Sequence, residues 1–409
     1  MDTGARTEIS TGCVVVGGGP AGLMLGLLLA RAGVEIVVVE KHADFLRDFR
    51  GDTIHPSTQD ILADLGLLDE FLALPHTDMP RVTLRWHGTE LVLADFSRLP
   101  TRRRAIAFMP QWDFLDLLAS AGEREPTFRL LRSTRVDEIL RDGSGVVGVR
   151  GAGPNGPVEV RARLVIAADG RDSTVRAAAG MVPRRLASGM DVLWFRLPRT
   201  PGEEHPFLQA GAGMLIAIDR GDFYQVAHVV PAGSWDPTPA GLDAVRARVA
   251  RTSPAFAERM HALRVDDVHL LRVRLERLRR WYDDGLLAIG DAAHAMSPAG
   301  GVGINLAVQD AVAAARILTP ALLAGRPGRA TLRRVQRRRA LPAMLTQRVQ
   351  RLLQGPLLAQ DDAGAIPLPL RVLRRTPALT HWTGRVVGLG FRPERVGGAG
   401  PRVRREGAR

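Results

Sequence analysis

The stretch Val14-Val15-Val16-Gly17-Gly18-Gly19-Pro20-Ala21-Gly22 decides the fold of this chain. An apolar run ends abruptly at the glycines, and a helical pattern begins at once. Gly17, Gly19 and Gly22 follow the spacing G-x-G-x-x-G. The first glycine allows a tight turn, the second lets a pyrophosphate approach the backbone, and the third lets the helix pack closely on the strand. The free N–H groups and the positive dipole end of that helix then face the phosphates. The stretch therefore predicts a dinucleotide-binding unit.

An acidic residue follows at the spacing typical of a dinucleotide site. Glu40 ends a second apolar run, residues 34–39, about 20 residues beyond the glycine turn. A carboxylate at this position accepts hydrogen bonds from an adenosine ribose, and Lys41 follows it directly. These features favour dinucleotide binding over an ordinary βαβ unit with a glycine-rich turn. They do not distinguish FAD from NAD(P).

Composition places the chain among soluble globular proteins. Its 409 residues are enough for one large unit or for two to three lobes, and 45% apolar with 24% charged residues is typical of that class. No run of about 18 uncharged apolar residues appears, so we expect no transmembrane helix, and the short polar start predicts no signal peptide. Cys13 is the single cysteine, which excludes a disulfide or a cysteine-based metal site within the chain. We therefore expect a cytoplasmic protein.

A net charge of +13 raises nucleic acid as a partner. The arginines are spread along the chain, however, and no helix-turn-helix, zinc-finger or aromatic platform accompanies them. Attraction of anionic cofactors or substrates explains part of the charge more simply. We therefore expect no nucleic-acid partner.

Polar residues between the first unit and the middle of the chain have two interpretations each. Arg50 lies in a loop after the ribose-binding acid, where it either contacts the cofactor or is a surface charge. A helix with apolar residues at helical spacing is predicted around Ile61, with Ser57 or Thr58 as its cap. Gln111 stands at the start of another short helix, where its amide either binds a ligand or caps the helix.

Strand patterns in two separate parts of the chain predict a second lobe. Between residues 191 and 274 the helical pattern mostly disappears, and apolar stretches at 192–197, 214–218 and 223–230 are typical of an antiparallel sheet. Alternation at residues 81–95 indicates strands that join this sheet, so the lobes interleave along the chain. Six side chains of this lobe either line a pocket or simply pack: Trp194, Arg196, Phe223, Tyr224, Gln225 and His228.

Two further buried strands each end at an acidic turn. One leads into Asp169-Gly170 and the other into Gly290-Asp291, which His294 follows. A Pro- and Gly-rich stretch at residues 298–305 then starts a long helix. Taken alone, Asp169 is explained equally well as a turn residue, and His294 as a structural histidine.

The three fingerprints at residues 17–22, 169–170 and 290–291 are highly specific for one fold when they occur in this order and spacing. Over residues 12–325 the chain resembles the single-component FAD-dependent aromatic monooxygenases, the class typified by p-hydroxybenzoate hydroxylase. The resemblance implies an α/β fold, α+β overall. A Rossmann-like FAD-binding domain with a parallel sheet (11–75, 103–184 and 276–325) is interleaved with a mainly antiparallel β-sheet substrate domain (76–102 and 185–275).

The resemblance also assigns residues to the cofactor. The glycine turn would hold the FAD pyrophosphate, Glu40 the adenosine ribose and Asp291 the ribityl hydroxyls. Pro298 would lie beside the isoalloxazine ring, and the helix start after it would stabilise negative charge on the reduced flavin. We assign no proton transfer to His294. The full implied cofactor-binding set is Gly17, Gly19, Pro20, Ala21, Gly22, Glu40, Lys41, Arg50, Gln111, Asp169, Gly290, Asp291, Pro298, Gly301, Gly303, Ile304 and Asn305.

The implied activity is hydroxylation of an aromatic or polyketide-like small molecule. In that class NAD(P)H reduces the FAD, O₂ adds at the flavin C4a, and the hydroperoxide transfers one oxygen to the substrate. The resemblance thus implies FAD as cofactor, NADPH or NADH as co-substrate, and no metal. Because the cofactor carries the chemistry, we expect no catalytic side chain.

Other functions remain open at this point. The main alternative is an FAD-dependent reductase or oxidase of the same fold without oxygen transfer. A flavin-dependent halogenase is disfavoured because that family uses an active-site lysine and a Trp-x-Trp-x-Ile-Pro motif, whereas Lys41 is the only lysine here. A basic binding protein with a relic nucleotide fold would stay colourless when FAD is added.

The C-terminal part is predicted to be helical over residues 326–390, with a disordered tail at 391–409. The arginines at 333–339 are typical of a solvated helix face. The apolar and basic segment 366–392 either lies on a membrane or, as we expect, covers the active site or packs on the core. We expect a monomer or a homodimer.

Overall fold

The structure is a computed structural model that describes residues 7–46, 53–186, 188–358 and 366–397. Its helices in chain order are α1 (Pro20–Arg31), α2 (Pro56–Asp64), α3 (Leu68–Ala73), α4 (Gln111–Glu123), α5 (Thr174–Ala178), α6 (Pro239–Thr252), α7 (Ala257–Met260), α8 (Gly303–Ala324), α9 (Arg329–Leu358), α10 (Leu368–Arg375) and α11 (Pro377–Leu389). Its strands are β1 (Thr7–Val16), β2 (Ile36–Val39), β3 (Thr53–Ile54), β4 (Thr77–Met79), β5 (Arg81–Trp86), β6 (Thr89–Asp95), β7 (Ile106–Phe108), β8 (Phe128–Leu131), β9 (Arg135–Asp142), β10 (Gly145–Gly153), β11 (Gly156–Ala167), β12 (Arg184–Leu186), β13 (Met190–Pro198), β14 (Leu208–Ala210), β15 (Met214–Asp219), β16 (Phe223–Pro231), β17 (His269–Arg272), β18 (Leu275–Arg277), β19 (Tyr282–Asp283) and β20 (Leu286–Ala288).

The first lobe is built on a sheet in the order β19-β20-β11-β1-β2-β8. Strand β10 also pairs with β11, and β9 pairs with β10. Its central strands are parallel, and Val16 of β1 lies opposite Ala167 of β11 and Val39 of β2. The ends of these strands are fully apolar and buried, as expected for a parallel sheet covered on both faces. The three strands therefore end at one edge of the sheet, where α/β folds bind their ligands.

The second lobe is a sheet of seven strands in the order β17-β13-β16-β15-β14-β5-β6. The strands of residues 81–95 join this sheet, as the sequence predicts, through a parallel pairing of β5 with β14. One face packs on α6 and α7 through residues such as Leu193, Tyr224 and Phe256. The other face packs in an aromatic and apolar cluster that includes Trp86 and Trp194 of this sheet and Phe108 of β7, a strand of a separate three-stranded sheet with β3 and β4. The exact domain boundaries stay a prediction.

The C-terminal helices pack on both lobes. Helix α9 lies along α8, and α11 contacts β6 and α2. Two glycines allow α11 to approach closely, since a Cβ at Gly384 would lie 2.1 Å from the Asp95 carbonyl oxygen and one at Gly388 would lie 2.7 Å from Leu99 Cδ1. The segment 366–392 thus packs on the core at α11, while Leu368 and Trp382 are exposed.

Two predictions about the C-terminal part hold only in part. Arg333, Arg334 and Arg337 are exposed, as expected for a solvated helix face. Arg339 does not lie on a solvated face: it is 1% exposed, and its Nε donates to Asp310 Oδ1 at 2.9 Å. Residues 391–397 are ordered against the core, because Glu394 is buried between Arg316, Arg338 and Arg339. The positions of these residues in the sequence do not reveal that Glu394 pairs with the arginines of α8 and α9. The remainder of the predicted tail, 398–409, lies outside the described residues.

The predicted cap of α2 is also wrong. His55 is the N-cap residue, and no side chain caps the helix. The hydroxyls of Ser57 and Thr58 instead donate to Asn305 Oδ1 of α8 at 2.8 and 2.7 Å. Tertiary packing has replaced the local cap, because the start of α2 faces the start of α8.

One helix of the described chain, Ala299–Ala324, is by length and composition able to cross a membrane. Its most apolar window is 67% buried inside the protein, as in the core helix of a globular domain. It contains α8, which packs on α1 in the first lobe.

Candidate functional site

The glycine turn after β1 is held by backbone contacts that exclude side chains. Gly17 has φ of 110°, and a Cβ there would lie 2.4 Å from the Ala168 carbonyl oxygen. A Cβ at Gly22 would lie 1.9 Å from the Gly17 carbonyl oxygen. Gly19 differs, because no described atom lies within 4 Å of its Cβ position. The turn is therefore closed on its protein side and open at Gly19.

The open side of the turn is also the uncapped start of a helix. Gly19 is the N-cap residue of α1 and Pro20 its first residue, while no side chain caps the helix and no acidic residue lies in its first turn. Ala21 is buried beneath it. Free N–H groups at an uncapped helix start suit a diphosphate, so this cradle fits the pyrophosphate of FAD.

Glu40 is fixed next to the turn. It is buried, and its two carboxylate oxygens accept from the backbone N–H groups of Gly18 at 2.8 Å and His42 at 3.0 Å. These two bonds hold the carboxylate beside the glycine turn, where the resemblance places the adenosine ribose. The adjacent Lys41 side chain is exposed.

The second fingerprint lies against the first. A Cβ at Gly17 would come within 2.8 Å of Asp169 Cα, so the two turns touch. The carboxylate of Asp169 accepts from Ser173 Oγ at 2.5 Å and from the Val175 N–H at 3.2 Å. Burial raises the pKa of Asp169. These bonds give Asp169 a role in holding its own turn.

The third fingerprint completes the cluster of turns. Gly290 has φ of 57°, and a Cβ there would lie 3.1 Å from Ala21 Cβ of α1. Asp291 Oδ2 accepts from Arg171 Nε at 3.0 Å, which ties the third fingerprint to the second. Three turns that are far apart in sequence thus meet at one edge of the first sheet.

A buried charged network supports the third turn from behind. Asp310 accepts from the Gly290 N–H at 3.1 Å, lies 2.5 Å from His294 Nε2, and pairs with Arg339. Burial by itself raises the pKa of Asp310, but His294 and Arg339 outweigh it and hold that pKa below its usual value. His294 is therefore a structural partner of Asp310, and no proton transfer is assigned to it.

The loop before α8 forms a second uncapped helix start. Gly300 and Gly301 have φ of 79° and 61°, and no side chain caps α8. No described atom lies within 4 Å of a Cβ at Gly303, whereas Ile304 is buried in the core of the first lobe. Pro298 is half-buried at the start of the loop. This helix start is open to an anionic group in the same way as that of α1.

The segment after β3 holds this loop in place. Thr53 Oγ1 donates to the Gly301 carbonyl oxygen at 2.7 Å, and His55 Nε2 lies 3.1 Å from the same oxygen. Ser57 and Thr58 hold Asn305, as described above. The sequence does not indicate these roles, because the partners lie more than 200 residues apart.

The remaining predicted residues are less well placed. Arg50 lies outside the described residues. Gln111 is the first residue of α4 and half-buried, and it makes no capping hydrogen bond. Tyr224 and His228 lie in the second lobe, where Tyr224 Oη donates to the Glu203 carbonyl oxygen and burial lowers the pKa of His228 to about 4. Among the described residues, no three His, Cys, Asp or Glu side chains cluster as a metal site would require.

Three fingerprint turns at one sheet edge, with a mainly antiparallel second lobe interleaved in sequence, are the arrangement that the resemblance to two-lobed flavoprotein oxidoreductases implies. The family model described as "FAD binding domain" matches residues 10–349. The chain therefore belongs to this FAD-binding family.

Comparison with known proteins identifies the reaction type. The chain is 34% identical over 383 residues to the 6-methylpretetramide 4-monooxygenase of Streptomyces rimosus, covering 92% of this chain and 90% of that protein. Among solved structures, OxyS anhydrotetracycline hydroxylase from Streptomyces rimosus shares the fold with a TM-score of 0.74 and 24% identity, covering 93% of this chain and 76% of that one. CabE, an aromatic hydroxylase from angucycline biosynthesis, gives a TM-score of 0.72 and 25% identity over 93% of this chain and 76% of that one. The chain is thus an FAD-dependent monooxygenase, which confirms the main interpretation over the reductase or oxidase alternative.

Proposed function

We propose that this monooxygenase hydroxylates a polycyclic aromatic, polyketide-like small molecule with O₂ and NAD(P)H. The main supporting observation is that three turns and the uncapped start of α1 meet at one edge of the first sheet, while the loop before the uncapped start of α8 packs through Ala299 against the aromatic cluster of the second lobe. The relative that matches nearly the whole chain is named for 6-methylpretetramide, which supports a substrate of this class.

The proposed cofactor contacts follow from the open surfaces of the site. The start of α1, Gly17 to Gly22 with Pro20 and Ala21, would hold the FAD pyrophosphate, and Glu40 the adenosine ribose. Asp291 would bond the ribityl chain next to Gly290. Of the other predicted contacts, Lys41, Arg50, Gln111 and Asp169 stay predictions.

The start of α8 would hold the ring end of the cofactor. Pro298 would lie beside the isoalloxazine ring, and the N–H groups of Gly303, Ile304 and Asn305 would face its pyrimidine end. Gly301, whose N–H donates to the Pro298 carbonyl oxygen at 3.0 Å, would shape the loop beside the ring. A positive helix end stabilises negative charge placed on it, and here no described side chain competes as a cap. FAD, once bound and reduced, supplies the activation of O₂.

The protein's own part in the reaction is to orient the substrate and exclude water. Ala299, next to Pro298, packs against the aromatic cluster formed by residues such as Trp86 and Trp194 of the second sheet and Phe108 of β7. An apolar aromatic wall suits a flat aromatic substrate and keeps water out. No side chain is proposed as a general acid or base.

The experiment is an NAD(P)H-oxidation screen over phenols and polycyclic aromatics with the purified, FAD-loaded chain. We expect a yellow protein, substrate-stimulated NAD(P)H oxidation, and a product heavier by one oxygen that derives from ¹⁸O₂. A colourless protein in the presence of FAD would contradict cofactor binding. Stimulated oxidation that releases only H₂O₂, with no oxygenated product from any compound, would contradict hydroxylation.

A further inference from the structure

His55 occupies an unusual position between two parts of the chain. It is fully buried at the N-cap of α2. Its Nδ1 lies 2.8 Å from the carbonyl oxygen of Val387 in α11, and its Nε2 lies 3.1 Å from that of Gly301 in the loop before α8. One imidazole ring thus bridges the C-terminal helix and the proposed flavin loop.

The chemistry of the two partners fixes which group donates in this bridge. Carbonyl oxygens only accept hydrogen bonds, so His55 is the donor to whichever of them it bonds. The neutral ring donates to one of them and the cation to both. Burial lowers the pKa of His55, while the two carbonyl groups oppose that shift. Thr53 also donates to Gly301, so the loop oxygen keeps one donor in either state.

Helix α11 is also packed directly on the second lobe. Thr383 Oγ1 donates to the Leu93 carbonyl oxygen of β6 at 2.5 Å, and Gly384 lies directly on Asp95. None of the predicted cofactor-binding residues belongs to α11. Through His55, the packing of α11 on the second lobe can therefore influence the position of the loop before α8.

We propose that His55 is a positioning residue that couples the docking of α11 to the shape of the flavin-binding loop, so that the C-terminal helix is part of the flavin site. The inference rests on the proposed function, since it requires that the loop at residues 298–305 holds FAD. Coupling is reciprocal: if docked α11 favours FAD binding, then FAD binding favours docked α11.

The first test is the affinity of the full chain for FAD, measured by titration of flavin fluorescence. His55→Leu removes the imidazole and every hydrogen bond that it donates, and is expected to weaken FAD binding about tenfold. His55→Gln keeps one donor and is expected to recover part of that affinity. Gly384→Ala puts a methyl group 2.1 Å from the Asp95 carbonyl oxygen, which loosens α11, and should weaken FAD binding from the far side of the bridge. Gly328→Ala, whose Cβ position is open, is the matched control and should bind FAD like the parent.

The second test distinguishes coupling from general damage. The double variant His55→Leu/Gly384→Ala should bind FAD no more weakly than the worse single variant, because both changes break one link. Amide hydrogen exchange in α11 should slow when FAD binds to the parent but not when it binds to His55→Leu. If His55→Leu fails to fold, as judged by circular dichroism, the same comparisons are made with His55→Gln.

Any of three results would overturn the role of His55. The first is parental FAD affinity in both His55 variants, and the second is additive losses of FAD affinity in the double variant. The third is a rate of amide hydrogen exchange in α11 that does not change when FAD binds to the parent. A parent chain that binds no FAD would instead overturn the proposed function itself. The two failures are therefore distinguishable.

Discussion

The glycine turn at residues 17–22 and the C-terminal segment at residues 329–358 and 366–397 support the same candidate site by opposite means. The turn works through the backbone, since the Cβ positions of Gly17 and Gly22 lie against carbonyl oxygens. The C-terminal segment works through buried side chains: Arg339 and Glu394 reach the third turn through Asp310, and Val387 reaches the loop before α8 through His55. The turn is recognisable from residue types at a fixed spacing, whereas the support from the C-terminal segment depends on residues distant in sequence.

Because of this difference, substitutions in the two regions should differ in their effects on two properties, cofactor affinity and folding stability. Damage to the open side of the turn at Gly19 should act on cofactor binding alone. Damage to its closed side at Gly22, or to the buried network of Arg339, Asp310 and Glu394, should lower the stability of the folded state. The following predictions test that separation, beginning with the largest expected effect.

Arg339→Met tests the C-terminal network. It leaves the carboxylates of Asp310 and Glu394 buried with one partner fewer, so we expect the free energy of unfolding to fall by about 3–5 kcal/mol. Urea unfolding of the cofactor-free chain measures this loss. Arg337→Met, on the exposed side of the same helix, is the control and should unfold like the parent. Equal stability of the two variants would contradict a structural role for the network.

Acid unfolding examines the same network through the charge of Asp310. Because the folded-state pKa of Asp310 lies below its usual value, its charge contributes stability above the usual pKa, and this contribution is lost as the pH falls through the lowered value. Arg339→Met removes one cause of the lowering, so acid unfolding should begin at a higher pH. Far-UV circular dichroism against pH provides the measurement. Equal midpoints of acid unfolding for the parent and Arg339→Met would argue against a stabilising role for the Asp310 charge.

Gly22→Ala tests the closed side of the turn. Its methyl group would lie 1.9 Å from the Gly17 carbonyl oxygen, so strand and helix must separate. We expect a loss of about 3 kcal/mol in the free energy of unfolding, seen in the cofactor-free chain as well. A variant as stable as the parent would show that the turn is more adaptable than its geometry indicates.

Gly19→Ala tests the open side of the same turn. No described atom lies within 4 Å of the added methyl group, so the cofactor-free chain should remain as stable as the parent. The methyl group would stand where the pyrophosphate approaches, and we expect FAD to bind about tenfold more weakly. Fluorescence titration measures the affinity. If this variant bound FAD as tightly as the parent, the proposal that the pyrophosphate lies against Gly19 would be contradicted.

Thr58→Val should have the smallest effect. It removes one of two hydroxyl donors to Asn305 Oδ1 while preserving shape, and Ser57 still donates. The expected loss is about 1 kcal/mol in the free energy of unfolding. Ser57→Ala is the matched variant and should behave alike in thermal unfolding. A much larger loss from either one would mean that the two hydroxyls are not equivalent supports of α8.

The parallel sheet, the three acidic or glycine turns and the joining of residues 81–95 to the second sheet were all predictable from the sequence. Each depends on a local signal, either an apolar run that ends at a special turn or a period-two alternation. The predicted caps Ser57 and Thr58, the solvated Arg339 and the disordered start of the tail were wrong for one reason. In each case a buried partner distant in sequence, namely Asn305, Asp310 or the arginines around Glu394, replaced the local preference.

The sequence by itself determined that a glycine turn, an acid after β2 and two acidic turns would meet at the ends of parallel strands, because strand direction brings their carboxyl ends to one edge. Only the tertiary structure decided which side chains support those turns. His55, Asp310 and Arg339 carry no recognisable spacing, and their hydrogen bonds form between elements that only the packed fold brings together. Backbone constraints are local and therefore readable, whereas the pairing of buried polar groups depends on the whole chain.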